Sequence, residues 1–217
     1  MKKVRLDQLV FDLGLTESRE RATTTIMSGH VFVNGQRADK PGMSVAPDAK
    51  VEIHGDALPF VSRGGYKLDK ALKVFPVDPA GKTCVDCGAS TGGFTDVLLQ
   101  HGAAKVYSVD VGYGQLAWKL RNDDRVINLE RTNLRYVTDE QIPELMDIAV
   151  MDVSFISIKL VLPAVQRLLK DDADVICLIK PQFEAGREEV GKKGVVRDIK
   201  VHEEVVHGIL DFAPTIG

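Results

Sequence analysis

The chain has 217 residues, of which 44% are hydrophobic and 27% are charged, and its formal net charge is −3. This composition is typical of a globular protein and argues against a strongly basic polymer binder. No apolar run reaches the roughly 18 residues of a membrane span, and Met1–Arg5 is not followed by the apolar core of a signal peptide. Three cysteines without a pairing scheme favour a reducing compartment, so we expect a cytoplasmic protein.

The charge is unevenly distributed along the chain. Residues 1–73 carry 12 Lys and Arg against 9 Asp and Glu, whereas residues 74–217 carry 16 against 22. A basic front and an acidic remainder suit an anion-binding module joined to a second domain.

The first sixty residues predict two short helices followed by a hairpin. Apolar side chains at helical spacing define one face of the first helix, which Gly14 ends: Leu6, Leu9, Val10 and Leu13. Thr16 is the predicted N-cap of the second helix, and Gly29 ends that helix. Val31–Gln36 predicts a strand that enters an Asn-Gly turn, and Val51–Ile53 closes a small sheet.

This order of elements, with arginines at the start of the second helix, resembles the S-four (S4) RNA-binding domain. The matching residues extend from Arg5-Leu6-Asp7 through Ser18-Arg19 to His30–Gly35 and Lys40-Pro41-Gly42. The resemblance implies phosphate contacts by Lys2, Lys3, Arg5, Arg19 and Arg21. The alternative is a solvated helix face. We assign residues 1–53 to this small α+β domain and residues 54–63 to a linker.

A glycine-rich turn is the most informative motif of the chain. Residues 86–94 have the spacing D-x-G-x-x-x-G-G-F between an apolar run and a helical run. Glycines let a backbone approach a ligand closely, and no lysine follows them to grip a triphosphate. The pattern favours an S-adenosylmethionine (SAM) pocket over a plain turn. The candidate cofactor residues here are Asp86, Gly88, Ser90, Gly92, Gly93 and Phe94.

Beyond the linker, apolar strand patterns alternate with helical ones. The predicted strands are Thr83–Cys87, Lys105–Val111, Val126–Leu129, Asp147–Asp152 and Val175–Ile179. The predicted helices include Tyr66–Phe75 and Ile158–Leu169. This rhythm predicts a Rossmann-like, doubly wound and mostly parallel α/β sheet over residues 64–217, with ligands at the carboxyl ends of the strands.

Polar residues at those strand ends extend the predicted cofactor site. Asp110 suits a bidentate bond to ribose hydroxyls, Asn133 is placed to meet the adenine amino group, and Asp152 follows the fourth strand. We expect no metal site, since His202 and His207 lack zinc-site spacing.

Lys180 points to the chemistry of the site. A lysine at the end of a buried strand is unfavourable unless it is paired or functional. Desolvation and a second cation, Lys67, can lower a lysine pKa and so provide a general base, with Asp152 orienting both lysines. The alternative is a structural ion pair between Lys180 and Asp152.

In order and context, Lys67, Asp152 and Lys180 are similar to the first three members of the Lys-Asp-Lys-Glu tetrad of FtsJ/RrmJ-type RNA 2′-O-ribose methyltransferases. With the front domain, the whole chain resembles the TlyA family, which carries both haemolysin and ribosomal RNA methyltransferase labels. The resemblance implies SAM-dependent methyl transfer to a ribose 2′-hydroxyl of ribosomal RNA. The alternatives are a membrane-active haemolysin and a catalytically inactive RNA-binding scaffold.

One departure from the family concerns the fourth tetrad residue, a glutamate after two further strands. Glu184, Glu203 and Glu204 come too early for it, so we expect a sequence that lacks the C-terminal strands. Residues 186–194 are expected to form a mobile loop in which Lys192 and Lys193 clamp RNA phosphates, or else a merely solvated loop.

Overall fold

The computed structural model describes residues 3–54 and 59–217, and the chain divides into two compact units, Met1–Tyr66 and Lys67–Gly217. Part of the predicted linker, residues 55–58, lies outside the described residues. The described residues of the first unit form short strands and two complete helices. In chain order these are β1 Val4–Arg5, α1 Leu6–Asp12, α2 Arg19–Met27, β2 Val31–Val33, β3 Gln36–Ala38, β4 Ser44–Val45 and β5 Val51–Ile53.

Two small antiparallel sheets organise this unit. One has the order β3-β2-β5, and the other pairs β1 with β4. Asn34 and Gly35 have φ angles of 51° and 77° and form the predicted turn between β2 and β3. Two positive φ angles are what this tight hairpin turn requires. Five fully buried residues form the centre of its core: Leu6, Val10, Ala22, Ile26 and Val31.

Two predictions about the helices of this unit are wrong. Ser18, not Thr16, is the N-cap of α2, because the Ser18 hydroxyl accepts a hydrogen bond from the Arg21 N–H at 3.0 Å. Leu13 lies outside the core and is half exposed, because α1 already ends at Asp12.

The second unit is built on a five-stranded parallel sheet with the order β10-β9-β6-β7-β8. Its strands are β6 Thr83–Cys87, β7 Lys105–Val109, β8 Val126–Leu129, β9 Met146–Met151 and β10 Leu169–Cys177. The chain runs outward from β6 through β7 to β8 and then returns to the other side of β6. The strand order therefore reverses at β6, and such a reversal forms a crevice at the carboxyl ends of the strands. The predicted α/β architecture is confirmed.

Six helices follow in the described part of the chain after α2, of which five are short or medium in length and one is long. They are α3 Gly65–Val74, α4 Gly93–Gln100, α5 Trp118–Arg121, α6 Leu162–Gln166, α7 Pro181–Glu184 and α8 Ile199–Phe212, with 3₁₀ turns at Leu134–Tyr136, Ile158–Leu160 and Ala213–Thr215. The helix predicted over Ile158–Leu169 is therefore wrong. Pro163 lacks the N–H that would bond to Lys159, so the chain forms a 3₁₀ turn first and α6 afterwards.

The predicted bounds of three strands are also wrong. β9 covers Met146–Met151 instead of Asp147–Asp152. β7 ends at Val109 instead of Val111, because Asp110 already turns into the loop that follows. β10 covers Leu169–Cys177 instead of Val175–Ile179, and its register with β9 shifts between Leu169 and Asp174. Asp171 and Asp172 lie in that irregular stretch, and aspartates give no strand signal in a sequence.

Candidate active site

A cavity of about 440 Å³ opens at the carboxyl ends of the parallel strands. Its volume lies in the range of small-molecule sites. Five of the predicted cofactor residues line it: Gly88, Ser90, Asp110, Asn133 and Asp152. These residues follow β6, β7, β8 and β9, so the sheet brings together side chains that are up to 64 positions apart in the sequence.

Asp110 organises the rim of the cavity next to β7. Its Oδ2 accepts a hydrogen bond from the Ser90 N–H at 2.8 Å, and its Oδ1 accepts one from the Gly112 N–H at 2.7 Å. Asn133 caps the 3₁₀ turn Leu134–Tyr136, because its Oδ1 accepts a hydrogen bond from the Arg135 N–H at 3.1 Å. Both side chains are thereby fixed in orientation at the cavity wall.

The glycines of the turn have different roles. Gly88 lines the cavity with a φ of 85°, and a Cβ there would lie 3.3 Å from the carbonyl oxygen of Asp152. Gly92 does not line the cavity, and a Cβ there would lie 2.3 Å from Leu120 Cδ1. Gly93 begins α4, and Phe94 is buried. The structure therefore places Gly88 at the cavity but Gly92, Gly93 and Phe94 in the packing that supports it.

Asp86 lies beneath the turn and is 1% exposed. Its Oδ2 accepts hydrogen bonds from the Thr95 N–H at 2.9 Å and the Thr95 hydroxyl at 2.7 Å, which ties β6 to α4. Within the described residues, its Oδ1 has no hydrogen-bond partner. Burial raises the pKa of Asp86 to about 7, the Thr95 hydrogen bonds oppose that rise, and the charges of Asp152 and Asp110 add to it. Asp86 does not line the cavity.

The carboxylate of Asp152 is shared by two lysines. Its Oδ1 lies 2.6 Å from Lys180 Nζ, and its Oδ2 lies 2.8 Å from Lys67 Nζ. Burial acts to raise the pKa of Asp152, but the two ammonium groups outweigh it and hold that pKa below its usual value. The two predicted catalytic lysines thus both contact the third predicted catalytic residue, Asp152.

Lys180 has further polar contacts. Its Nζ donates hydrogen bonds to the Ser154 hydroxyl at 2.8 Å and to the carbonyl oxygen of Asp152 at 3.3 Å. The Lys180 side chain is only 16% exposed. Asp152 and Ser154 line the cavity, so Lys180 stands directly behind two cavity residues.

Phe155 is a candidate functional residue that the sequence reasoning missed. It is 91% exposed at the cavity wall and has a φ of 64°, a conformation that is strained for an aromatic residue. Its ring lies 5.3 Å from that of Phe183. Such outliers gather at functional sites. The sequence feature that could have identified Phe155 is its position three residues after Asp152, which lies at the end of a strand.

Glu184 has a structural contact. Its two carboxylate oxygens accept hydrogen bonds from the Ser157 hydroxyl at 2.6 Å and from the Ile158 N–H at 2.7 Å. Glu184 thus holds the start of the 3₁₀ turn Ile158–Leu160.

The predicted RNA-binding side chains of the first unit differ in their contacts. Lys2 lies outside the described residues, and Lys3 is exposed. Arg5 and Arg19 both bind the carboxylate of Asp7, so neither is merely solvated. Arg21 donates a hydrogen bond to the carbonyl oxygen of Phe60 at 3.1 Å.

The predicted loop of residues 186–194 carries two further predicted RNA contacts. Lys192 and Lys193 are exposed. The loop itself is anchored, because Val190 within it and Val196 just after it pack against Val201 and Val205 of α8.

In the parts of the chain that the structure describes, no group of three or more His, Cys, Asp or Glu side chains could hold a metal ion. Across the same ranges, no helix is both long and apolar enough to cross a bilayer.

Comparison with known proteins agrees with this geometry. Residues 60–214 match the FtsJ-like methyltransferase family, and residues 4–51 match the S4 domain. The 16S/23S rRNA (cytidine-2′-O)-methyltransferase TlyA of Mycobacterium tuberculosis is 45% identical over 100% of this chain and 81% of its own length. Hemolysin A of Brachyspira hyodysenteriae is 42% identical over 95% of this chain and 86% of its own length. A structure solved under the name hemolysin, from Streptococcus thermophilus, is 48% identical, with a TM-score of 0.76 over 100% of this chain and 80% of that chain.

Proposed function

Because the chain belongs to the TlyA family, in which an S4 domain precedes an FtsJ-like methyltransferase domain, we propose that it transfers a methyl group from SAM to a ribose 2′-hydroxyl of ribosomal RNA. One observation carries the proposal: Lys67 and Lys180 share the carboxylate of Asp152 at the wall of a cavity that suits a nucleoside cofactor. A ribosomal RNA substrate also supports a cytoplasmic location. We retain residues 54–63 as the proposed boundary between the two domains.

The cavity residues fit SAM. The Asp110 carboxylate can accept hydrogen bonds from ribose hydroxyls, and Gly88 leaves room that a Cβ would fill. Since the Asn133 oxygen already caps a turn, its amide nitrogen is the group that we expect to face an adenine ring nitrogen. Ser90 and Asp152 complete the proposed wall. SAM, when bound, supplies a methyl group activated by the sulfonium charge.

Asp86, Gly92, Gly93 and Phe94 support the cofactor indirectly in this proposal. They fix the turn and α4 behind the cavity instead of lining it. Such supporting residues hold the cavity-lining groups in a productive orientation.

We assign the proton transfer to Lys180. As a neutral amine, Lys180 would take the proton of the 2′-hydroxyl, and Asp152 would hold Nζ in position. Lys67 binds the other oxygen of the same carboxylate, so Asp152 orients both lysines. Positioning of the sugar oxygen contributes much of the rate in such reactions.

Three sets of side chains hold the RNA in this proposal. Lys3, Arg5, Arg19 and Arg21 of the first unit, with Lys2 as predicted, provide phosphate contacts that are independent of sequence. In the second unit, the exposed ring of Phe155 offers a stacking surface for a base next to the reacting ribose. Lys192 and Lys193 stay proposed phosphate contacts.

The decisive experiment measures transfer of tritiated methyl from SAM to isolated ribosomal subunits by the purified protein. The RNA is then digested to nucleosides, and we expect the label in a 2′-O-methylnucleoside. Label on a base would contradict the assigned chemistry.

The same protein preparation tests the two alternatives. RNA binding without any methyl transfer would favour an inactive scaffold. Dye release from liposomes without methyl transfer would favour a membrane-active protein.

A further inference from the structure

A buried carboxylate in the first unit holds two arginines at once. Asp7, near the start of α1, has a side chain that is only 4% exposed. Its Oδ1 and Oδ2 accept hydrogen bonds from Arg5 Nε at 3.0 Å and Arg5 Nη2 at 2.9 Å. Its Oδ2 also accepts hydrogen bonds from Arg19 Nε at 3.2 Å and Arg19 Nη2 at 3.1 Å. Three elements, β1, α1 and α2, therefore converge on one carboxylate.

The two arginines remain accessible despite this contact. The side chains of Arg5 and Arg19 are 55% and 48% exposed. A guanidinium has five N–H donors, and Asp7 occupies two on each arginine. The remaining donors include the Nη1 atom of each arginine. Within the described part of the chain, neither Nη1 has a hydrogen-bond acceptor.

The charges of this cluster do not cancel. Two guanidinium groups and one carboxylate leave a net charge of about +1, and the negative member is buried while both positive members are open to solvent. The Arg5 side chain holds the pKa of Asp7 below its usual value against the opposing effect of burial, and Arg19 adds to that lowering. The carboxylate therefore stays ionised at neutral pH and continues to orient both arginines.

We propose that Asp7 is a positioning residue that aligns Arg5 and Arg19 as a two-guanidinium fork for the phosphate groups of RNA. This inference rests on the proposed function, because it deepens the role of the first unit in holding RNA. A planar guanidinium matches the oxygen atoms of a phosphate, and pre-ordering it lowers the entropy lost on binding. Asp7 itself does not touch the phosphate.

The substitution Asp7→Asn separates positioning from plain charge. Removal of a carboxylate makes the protein more positive, so an account based on charge alone expects tighter RNA binding. If Asp7 positions the fork, we expect the reverse, namely about tenfold weaker binding of refolded ribosomal RNA at 150 mM salt. The slope of log affinity against log salt concentration should also become smaller by about one unit for each phosphate that is no longer bound. Asp12→Asn is the matched control, since it removes an exposed carboxylate from the same helix. We expect it to bind RNA at least as tightly as the unsubstituted chain.

A double-mutant cycle excludes a merely structural role of Asp7. In the background of Arg5→Ala and Arg19→Ala, Asp7→Asn should have no further effect on RNA affinity. An equal loss in both backgrounds would overturn the proposal.

The paired variant Arg5→Lys, Arg19→Lys keeps every charge but removes the planar fork, so we expect about tenfold weaker binding from it as well. RNA affinity equal to that of the unsubstituted chain would also overturn the proposal. This second variant keeps the test valid if Asp7→Asn does not fold.

Affinity for SAM, measured on every variant by calorimetry, should stay unchanged, because the cofactor residues belong to the second unit. RNA affinity does not depend on methyl transfer. Loss of RNA binding with normal SAM affinity thus reports on the fork, whereas failure to methylate RNA that is still bound reports on the proposed function.

Discussion

Lys180 Nζ lies 2.6 Å from Asp152 Oδ1, although the two residues follow different strands of the sheet. The contact exists because β9 and β10 are parallel neighbours whose carboxyl ends meet at one edge. Lys67 reaches the other oxygen of the same carboxylate from α3. One carboxylate, which lines the cavity, therefore holds both lysines beside it.

The first prediction concerns Lys180→Ala. If Lys180 is the base, the rate of methyl transfer should fall by about 10²–10⁴-fold in single-turnover measurements. The affinity for SAM should change little, because Lys180 stands behind Asp152 and does not line the cavity. Lys170→Ala is the matched control, since this lysine lies at the other end of β10, where it pairs with Asp147. An equal loss of SAM affinity and rate in Lys180→Ala would instead identify a structural lysine.

The second prediction concerns the stability that Asp152 provides. Asp152→Asn leaves the 16%-exposed Lys180 without a charged partner, so we expect a loss of roughly 1–3 kcal/mol in the free energy of unfolding. Asp69→Asn removes a carboxylate whose partners Lys73 and His101 are 68% and 38% exposed, so the loss in unfolding free energy should stay below about 1 kcal/mol. Urea denaturation at neutral pH measures both values. Equal losses would mean that the Asp152 pair behaves as an ordinary surface pair.

The sequence predicted the α/β sheet and the strand ends well, because apolar runs and glycine punctuation report local geometry directly. It did not separate the predicted cofactor residues that line the cavity from those that only support it. Asp86 turns inward to Thr95, and Gly92 packs against Leu120. These directions depend on how α4 and α5 pack over the sheet, and a motif spacing carries no information about that packing.

Other errors have local causes. Thr16 and Ser18 are both good N-cap residues, and only the tertiary position of α2 decides between them. Phe155 was missed because an aromatic residue next to a strand usually enters a core. Here a φ of 64° turns its ring into solvent instead.

The third prediction concerns Gly92. An alanine there must adopt a φ of 90° and place its Cβ 2.3 Å from Leu120 Cδ1. Gly81→Ala is the matched control, because Gly81 has a φ of 71° and a Cβ there would have no other atom within 4 Å. We expect Gly81→Ala to lower the unfolding free energy by about 1–2 kcal/mol and Gly92→Ala to lower it by about 1–3 kcal/mol more. Equal losses in thermal or urea unfolding would show that the contact with Leu120 is unimportant.

The fourth prediction concerns Phe155→Ala. Loss of base stacking should weaken the productive binding of ribosomal subunits by about 5–100-fold, equivalent to roughly 1–3 kcal/mol. Stability should be unaffected, because the ring is 91% exposed. Phe75→Ala is the control, since Phe75 is also exposed but does not line the cavity. Steady-state methylation over a range of subunit concentrations measures the effect, and unchanged kinetics would remove Phe155 from the site.

The fifth prediction is a pH dependence of stability that arises from Asp86. Burial raises the pKa of Asp86 to about 7, whereas an aspartate in an unfolded chain titrates near 3.9. The folded state therefore binds this proton more tightly than the unfolded state does. Its contribution to stability is complete below about pH 4 and is lost as the pH rises through about 7, by up to about 4 kcal/mol.

Asp86→Asn removes this titration but keeps a side-chain oxygen that can accept the Thr95 hydrogen bonds. The difference in unfolding free energy, unsubstituted chain minus variant, should therefore decrease steadily between pH 4 and pH 7 in urea denaturation. Carboxylates with a lowered pKa, such as Asp152 and Asp7, act in the opposite sense, since their stabilisation is lost as the pH falls below about 4. They are present in both proteins and cancel in the difference. A difference that stays constant across this range would show that Asp86 is already ionised in the folded protein.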